Sequence, residues 1–293
     1  LITGLLSEVG EYLFFIEFFN WGEPLLHKEV LFDWVRQASE KRIVTSVSTN
    51  LNIRLSDADI EALIESGLNK LIVSLDGATP ETYATYRQNG DFSLALDNVK
   101  RIIDMRRRIN KTRPWVVWQF LVFGFNEHER AAASALAKDI GVDEISFIPP
   151  FVDRTAPDGV AWMPKDPAFV KNMYRPGKQK TAPRCDWHYL SATINWDGGV
   201  APCCALYRTK DDFGTIGARG EHSFGMVVNN EKYTAVRRFF ARGGTGGTGL
   251  VCERCPLPEI MTMGKALNRS IFSLVIFQLL GVLCRPFLNK VKP

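Results

Sequence analysis

No cysteine precedes Cys185, and that gap excludes a disulfide scaffold, because such frameworks are short, secreted and cysteine-dense throughout. No G-x-G-x-x-G follows any apolar run, which weighs against a dinucleotide fold, and no glycine-rich phosphate loop is present either. Histidine is scarce. His27, His128, His188 and His222 are scattered with no second ligand nearby and read as surface or structural residues. Charge of one sign is not in excess: 36 basic against 32 acidic residues leave a formal charge of +4, which does not argue for nucleic acid. The one basic cluster, Lys100 to Arg113 with Arg106-Arg107-Arg108, lies on a helical stretch and reads as a solvated helix end, where cations complement the helix dipole.

Long hydrophobic runs are also lacking. Ile271–Cys284 is apolar but interrupted by Ser273 and Gln278, too short for the roughly 20 residues that cross a bilayer. It reads as a docking helix, or as a monotopic membrane contact with Arg285, Lys290 and Lys292 beside it, and Cys284 within it as inert. Leu1–Gly10 resembles neither a signal peptide nor the start of a strand, so nothing speaks for export. The expected location is cytoplasmic, with membrane association through the tail as a variant. The first residue is Leu rather than Met, and the chain is read as N-terminally incomplete.

What is present is a long alternation. Tyr12–Phe19 is an aromatic-rich, near-continuous apolar run, as expected for a strand buried on both faces. Lys28–Lys41 carries a helical stripe of Val30, Leu31, Trp34, Val35 and Ala38. Ile43–Thr49, Lys70–Leu75, Trp115–Phe123 and Glu144–Ile148 read as further strands. Between them lie helices opened by Ser56 with Asp59 as a capping box and by Thr79-Pro80-Glu81. A third covers Phe92 to Arg108 after the Asn89-Gly90 break. The last covers Glu127–Ile140, with Asn126 and Glu129 as a cap pair and Gly141 as its end. Strands and helices at this spacing mean βαβ units and a right-handed parallel sheet. A Rossmann sheet, a full eight-fold barrel and a partial barrel all satisfy the pattern. Five visible units fit a six-stranded partial barrel without its first strand.

Phe151–Thr181 is rich in proline and charge and reads as a linker with a short helix after Asp166-Pro167. Cys185–Cys255 reads as a loop-dominated module with short strands such as Ser191–Trp196 and a turn at Asp197-Gly198-Gly199. The domain boundaries expected are therefore 1–150, a linker 151–181, a cysteine module 182–262 and an apolar tail 263–293.

Four groups of small polar residues sit where apolar strands stop: Asn20-Trp21-Gly22-Glu23-Pro24, Ser48-Thr49-Asn50, Ser74-Leu75-Asp76-Gly77, and Asn126 with Glu129. In parallel βα folds ligands gather at that edge. Each group alone is ordinary turn or cap chemistry; four in series are harder to dismiss. The cysteines add a second signal. Cys185, then Gly198, then Cys203, then Cys252-x2-Cys255 make four thiolates, the number that closes a zinc site or a [4Fe–4S] cluster.

These residues resemble the radical S-adenosylmethionine (SAM) enzymes over roughly residues 12 to 260. Asn20–Pro24, with Gly22, Glu23 and Pro24, looks like the family's Gly-Glu motif, which holds the methionyl amino group. Ser74, with Asp76, lies in a stretch resembling the fourth-strand motif, whose serine contacts SAM; Asp76 could face substrate or a SAM hydroxyl. Glu81–Arg87 resembles the next segment, whose arginine pairs with the SAM carboxylate, a task suited to a planar, bidentate fork. Ser48 and Asn50 resemble the third-strand motif.

Cys185, Cys203, Cys252 and Cys255 resemble the SPASM-type extension of many such enzymes. Full SPASM modules bind two auxiliary clusters through further cysteines, whereas Pro256 to Leu283 has none, so one auxiliary [4Fe–4S] cluster is expected. Cys203 fits the family spacing, with Cys204 expected as a buried neighbour.

The resemblance implies SAM as cofactor and a catalytic [4Fe–4S] cluster on a C-x3-C-x2-C loop. That loop is absent here and its absence is ascribed to truncation, so this stretch alone is expected to be inactive. The implied reaction is reductive cleavage of SAM to a 5′-deoxyadenosyl radical that abstracts hydrogen from a peptide, small-molecule or sugar substrate. A reducing partner such as flavodoxin or ferredoxin would supply the electron. The competing reading of the same cysteines is a zinc-stapled, non-catalytic βα binding protein or a degenerate relative.

Overall fold

The computed structural model describes residues 1–150, 159, 162–170, 185–206, 208–217 and 223–254. Cys255, His222, most of the linker, and the tail with Ile271–Cys284 lie outside the described residues. Two compact units emerge: Leu13–Tyr174, and Leu1–Tyr12 together with Arg175–Pro293.

The first unit is built on five parallel strands in sequence order: β1 (Phe15–Glu17), β2 (Val44–Thr49), β3 (Lys70–Ser74), β4 (Trp115–Leu121) and β5 (Glu144–Ile148). The chain crosses back after each strand through α2 (Lys28–Glu40), α3 (Asp57–Glu65), α4 and α5 (Pro80–Tyr86 and Phe92–Arg108), and α6 (Arg130–Ile140). Right-handed crossovers that always step to the next strand place every helix on one face, and α2, α3, α5 and α6 touch in series.

Strand registers show what each face is made of. Val47, Leu71, Val73, Val116, Trp118 and Phe120 point to the helical layer and are buried. The in-register set Glu17, Ser46 and Lys70, with Ser48, Ser74, Gln119 and Ser146, points the other way. That second face is mixed, its polar side chains interspersed with Ile72, Val117, Leu121 and Ile148.

The local signals account for these elements. Ser56 and Asp59 form the expected capping box of α3. Thr79 caps α4 ahead of Pro80, and Gly141, at φ 86°, ends α6 in the left-handed region. Pro167–Phe169 forms a 3₁₀ turn capped by Asp166.

Three expectations need correction. Strand β1 spans only Phe15–Glu17 of the Tyr12–Phe19 run, because Tyr12 belongs to a 3₁₀ turn, Gly10–Tyr12, and Phe19 and Asn20 already form the loop. Arg106 is not solvated: it is 6% exposed, donates to both Asp143 carboxylate oxygens and to the Pro114 carbonyl, and fastens α5 to the segment before β5. Asn126 and Glu129 are not a cap pair. The Asn126 amide donates to the Asp76 and Leu121 carbonyls and its oxygen accepts from Phe123 N. Glu129 accepts from Ala78 N and from the Thr79 and Thr82 hydroxyls, so it braces the start of α4.

In the second unit, α1 (Ile2–Val9) packs with the cysteine module, so Leu1–Tyr12 groups with the C-terminal unit and not with the sheet that the 1–150 boundary implied. Glu8 supplies the reason, accepting from Phe224 N (2.9 Å) and Gly225 N (2.8 Å) at the start of α8 (Phe224–Val228). The module contains α7 (Trp187–Leu190), a three-stranded antiparallel sheet of β6 (Thr193–Ile194), β7 (Gly199–Ala201) and β8 (Gly214–Thr215), and α9 (Glu231–Ala241). The turn between β6 and β7 needs Gly198, whose φ is 88° and whose added Cβ would meet the Ile216 carbonyl oxygen at 2.3 Å. The core gathers Val200, Phe213, Tyr233, Val236 and Phe240. Among the described residues no helix is long and apolar enough to cross a membrane.

Candidate cofactor and cluster sites

A cavity of about 110 Å³ opens where β1, β2 and β3 end. Six of its lining residues are ones the sequence singles out: Gly22, Glu23, Ser48, Asn50, Ser74 and Arg87. Phe19, Asn20 and Thr49 complete it. Small-molecule sites usually measure ~300–1,000 Å³, so this space encloses a polar head group and leaves the rest of a larger ligand in the open mouth.

Glu23 is the hub. Its Oε1 accepts from Leu25 N (3.1 Å) and from the Thr49 hydroxyl (2.6 Å), and its Oε2 accepts from Asn50 N (2.9 Å). The carboxylate therefore ties the loop after β1 to the end of β2 and retains acceptor capacity on Oε2. Thr49 was not among the residues selected from sequence, yet its hydroxyl fixes Glu23; its only sequence signal was its place between Ser48 and Asn50. Pro24 opens the 3₁₀ turn Pro24–His27 and does not line the cavity.

Asp76 lies outside the cavity lining. It is fully buried; its Oδ2 accepts from Arg87 Nε and Nη2, both at 2.8 Å, and its Oδ1 accepts from Leu121 N at 2.8 Å. Burial pushes its carboxyl above the usual range, while Arg87 and the Leu121 amide pull the other way. The consequence is positional. Arg87, just past the end of α4, has two of its three nitrogens committed to Asp76, and its Nη1 is left for the cavity that Arg87 lines. Ser74, 8% exposed, closes the inner wall.

In the cysteine module, Cys185, Cys203 and Cys252 are half-buried and Cys204 is exposed. Cys185 and Cys252 pack against the apolar core. The phenol of Tyr233 in that core is pushed up by burial, drawn down by Arg237 and raised again by the thiols of Cys203 and Cys252. Those two thiols therefore lie near one ring. Among the described residues no three His, Cys, Asp or Glu side chains come close enough to hold a single metal ion; Cys255 is outside that set. A larger cavity, about 360 Å³, lined by Arg208, Lys210, Asp212 and Lys232, shares none of the residues selected from sequence.

Residues 185–256 match SPASM, the iron–sulfur cluster-binding domain. A solved structure described as native anSMEcpe with bound AdoMet superposes with a TM-score of 0.53 at 13% identity, covering 99% of this chain and 90% of that one. The same protein with bound AdoMet and Kp18Cys peptide gives 0.52 at 12% identity, covering 96% and 89%. Residues 185–256 are thus similar to the SPASM domain, and the chain shares the fold of these AdoMet-bound structures.

A probable GTP 3′,8-cyclase of Methanocaldococcus jannaschii is 31% identical over 130 residues, 44% of this chain and 41% of that protein. The GTP 3′,8-cyclase of Petrotoga mobilis is 26% identical over 130 residues, 44% of this chain and 38% of that protein. The chain thus spans about two-fifths of the length of these two relatives.

Proposed function

We propose that this protein is a radical SAM enzyme that cleaves SAM reductively to begin hydrogen abstraction from a peptide or small-molecule substrate, with one auxiliary [4Fe–4S] cluster in its SPASM domain. The observation that carries the reading is the single cavity shared by Gly22, Glu23, Ser48, Asn50, Ser74 and Arg87. When bound there, SAM beside a catalytic iron–sulfur cluster would supply the oxidising radical.

The chain's own residues would bind and orient. Glu23 Oε2 would accept from an ammonium group, Arg87 Nη1 would donate to a carboxylate, and Ser74 would hydrogen-bond whatever fills the inner wall. Asp76 would hold Arg87 in place without touching the ligand. The sheet that bears these residues fits a partial barrel, the face opposite its helices forming the inner wall where a substrate would be kept from water.

Cys185, Cys203, Cys252 and Cys255 would hold the auxiliary cluster, with Cys203 preferred because it is half-buried while Cys204 is exposed. Peptide substrates are supported by the peptide-bound neighbour, and a nucleotide substrate by the names of the curated relatives. An electron donor of flavodoxin or ferredoxin type and a cytoplasmic location complete the proposal. The test is anaerobic incubation of the intact, iron-reconstituted protein with SAM and dithionite. Formation of 5′-deoxyadenosine and methionine is expected; a protein that holds iron and sulfide yet releases neither would refute the reading.

A further inference from the structure

Arginine is among the residues least often fully buried, and Arg237, on α9, is 2% exposed inside the SPASM module. Its Nη2 donates to the His188 carbonyl at 3.2 Å. Its guanidinium carbon lies 5.5 Å from the Tyr189 ring centroid and 5.3 Å from that of Tyr233. Each of these contacts leads to a thiol-bearing segment. His188 follows Cys185 on α7. The Tyr233 hydroxyl donates to the Ala201 carbonyl at 3.4 Å, at the end of β7 just before Cys203. Cys252 packs against the same core as Tyr233, Val236 and Phe240.

We propose that Arg237 is a positioning residue that sets the reduction potential of the SPASM-domain cluster, its buried cation favouring the reduced form. The inference rests on the auxiliary-cluster reading above. One-electron reduction adds a negative charge to an assembly already anionic through its thiolates, and a fixed cation behind the ligand-bearing segments stabilises that added charge. Burial makes the effect stronger than the same cation would have in water. An aliphatic side chain would fill the space between the two rings at no desolvation cost, so packing alone does not call for a guanidinium. Hydrogen bonding and exposure are recognised levers on cluster potential; here the lever is a charge. Tyr189 and Tyr233, with their faces to the guanidinium, keep it in place by cation–π attraction.

The test is an EPR-monitored redox titration of the intact reconstituted protein, reading the signal that Cys252→Ala abolishes. Arg237→Met and Arg237→Gln are expected to lower the equilibrium constant for one-electron reduction at least tenfold, a shift of about 59 mV to more negative potential. Arg237→Lys, which keeps the charge, is expected to titrate close to the wild type. Neutral variants that retain the signal at the wild-type potential would overturn the proposal while leaving the cluster reading intact. Loss of the cluster in both neutral variants would also overturn it, showing Arg237 to be a structural tie between α7 and α9. Absence of the signal from the wild type would remove the cluster reading itself, and this inference with it.

Discussion

The pairing of Asp76 with Arg87 shows how one buried carboxylate can place a functional side chain without touching a ligand. Asp76 spends its acceptors on Arg87 and on the Leu121 amide, so Arg87 is restrained from within the fold while its side chain remains 26% exposed. Replacing Arg87 with Leu leaves a buried charge without its partner, which costs about 3–5 kcal/mol, and removes the donor offered to the cavity. The double variant Asp76→Asn, Arg87→Leu should regain part of the stability and none of the SAM affinity. Denaturant unfolding beside calorimetric SAM titration checks both arms. Recovery of binding in the double variant would show that Arg87 acts only as a scaffold. Glu23, Ser74 and Arg87 were legible as candidates from their strand-end positions. Asp76 was legible only as a residue of interest, because its partner Leu121 lies 45 positions away and no local pattern announces such a bond.

At the scale of elements, the loop after β2 depends on a side chain from α5. Leu51 is fully buried and has φ 53°, a left-handed conformation that costs a non-glycine residue roughly 1–2 kcal/mol. Asn98 holds it by donating to the Leu51 carbonyl (3.0 Å) and the Ile53 carbonyl (2.8 Å). Asn98→Ala should therefore destabilise the first unit by about 2–3 kcal/mol, since a buried and a part-buried carbonyl lose their donor. It should also weaken SAM binding through Asn50, on the adjoining residue. Equal affinity in the variant at a temperature where it remains folded would separate the loop from the site.

His188 on α7 gives a second element-scale prediction. It is 3% exposed, its Nε2 finds no hydrogen bond within the described structure, and it stacks on Phe240 at 5.2 Å. Burial first, and the Arg237 cation second, lower its pKa to about 4, while Asp186 pulls the other way. The folded state thus keeps His188 neutral while the unfolded chain takes up a proton below its ordinary value near 6.5. Stability from this residue is full above about pH 6.5 and is lost as the pH falls toward 4, to a limit of roughly 3 kcal/mol. Thermal unfolding between pH 7 and 5 should show a slope that His188→Phe flattens; an unchanged slope in that variant would place the titrating group elsewhere.

Helix periodicity and capping made α2, α3, α5 and the strands legible in advance. Helix α9 was not, because its buried face includes Arg237 among Tyr233, Val236 and Phe240, and a charge in the apolar stripe masks the period. Helix α8 is only five residues, Phe224–Val228, and is held by Glu8 from the far end of the chain, which no local signal reveals.

Across the whole molecule, two units would carry two separate pieces of the proposed chemistry. The five-stranded sheet brings polar residues from successive strand ends to one cavity, and in the second unit Cys185 and Cys252 pack against one apolar core. The alternation of strands and helices revealed the first, since chain order alone fixes which ends share an edge. The cysteine spacing revealed the second, though not Tyr233 and Arg237, which lie between Cys204 and Cys252 with no spacing rule to mark them. The account stands or falls on what occupies the mouth of the sheet. A crystal structure of the intact protein soaked with SAM tests it most directly. The methionyl amino and carboxylate groups should lie within hydrogen-bonding distance of Glu23 and Arg87, with Ser74 against the inner wall. SAM ordered elsewhere, with those three side chains arranged as in the ligand-free protein, would contradict it.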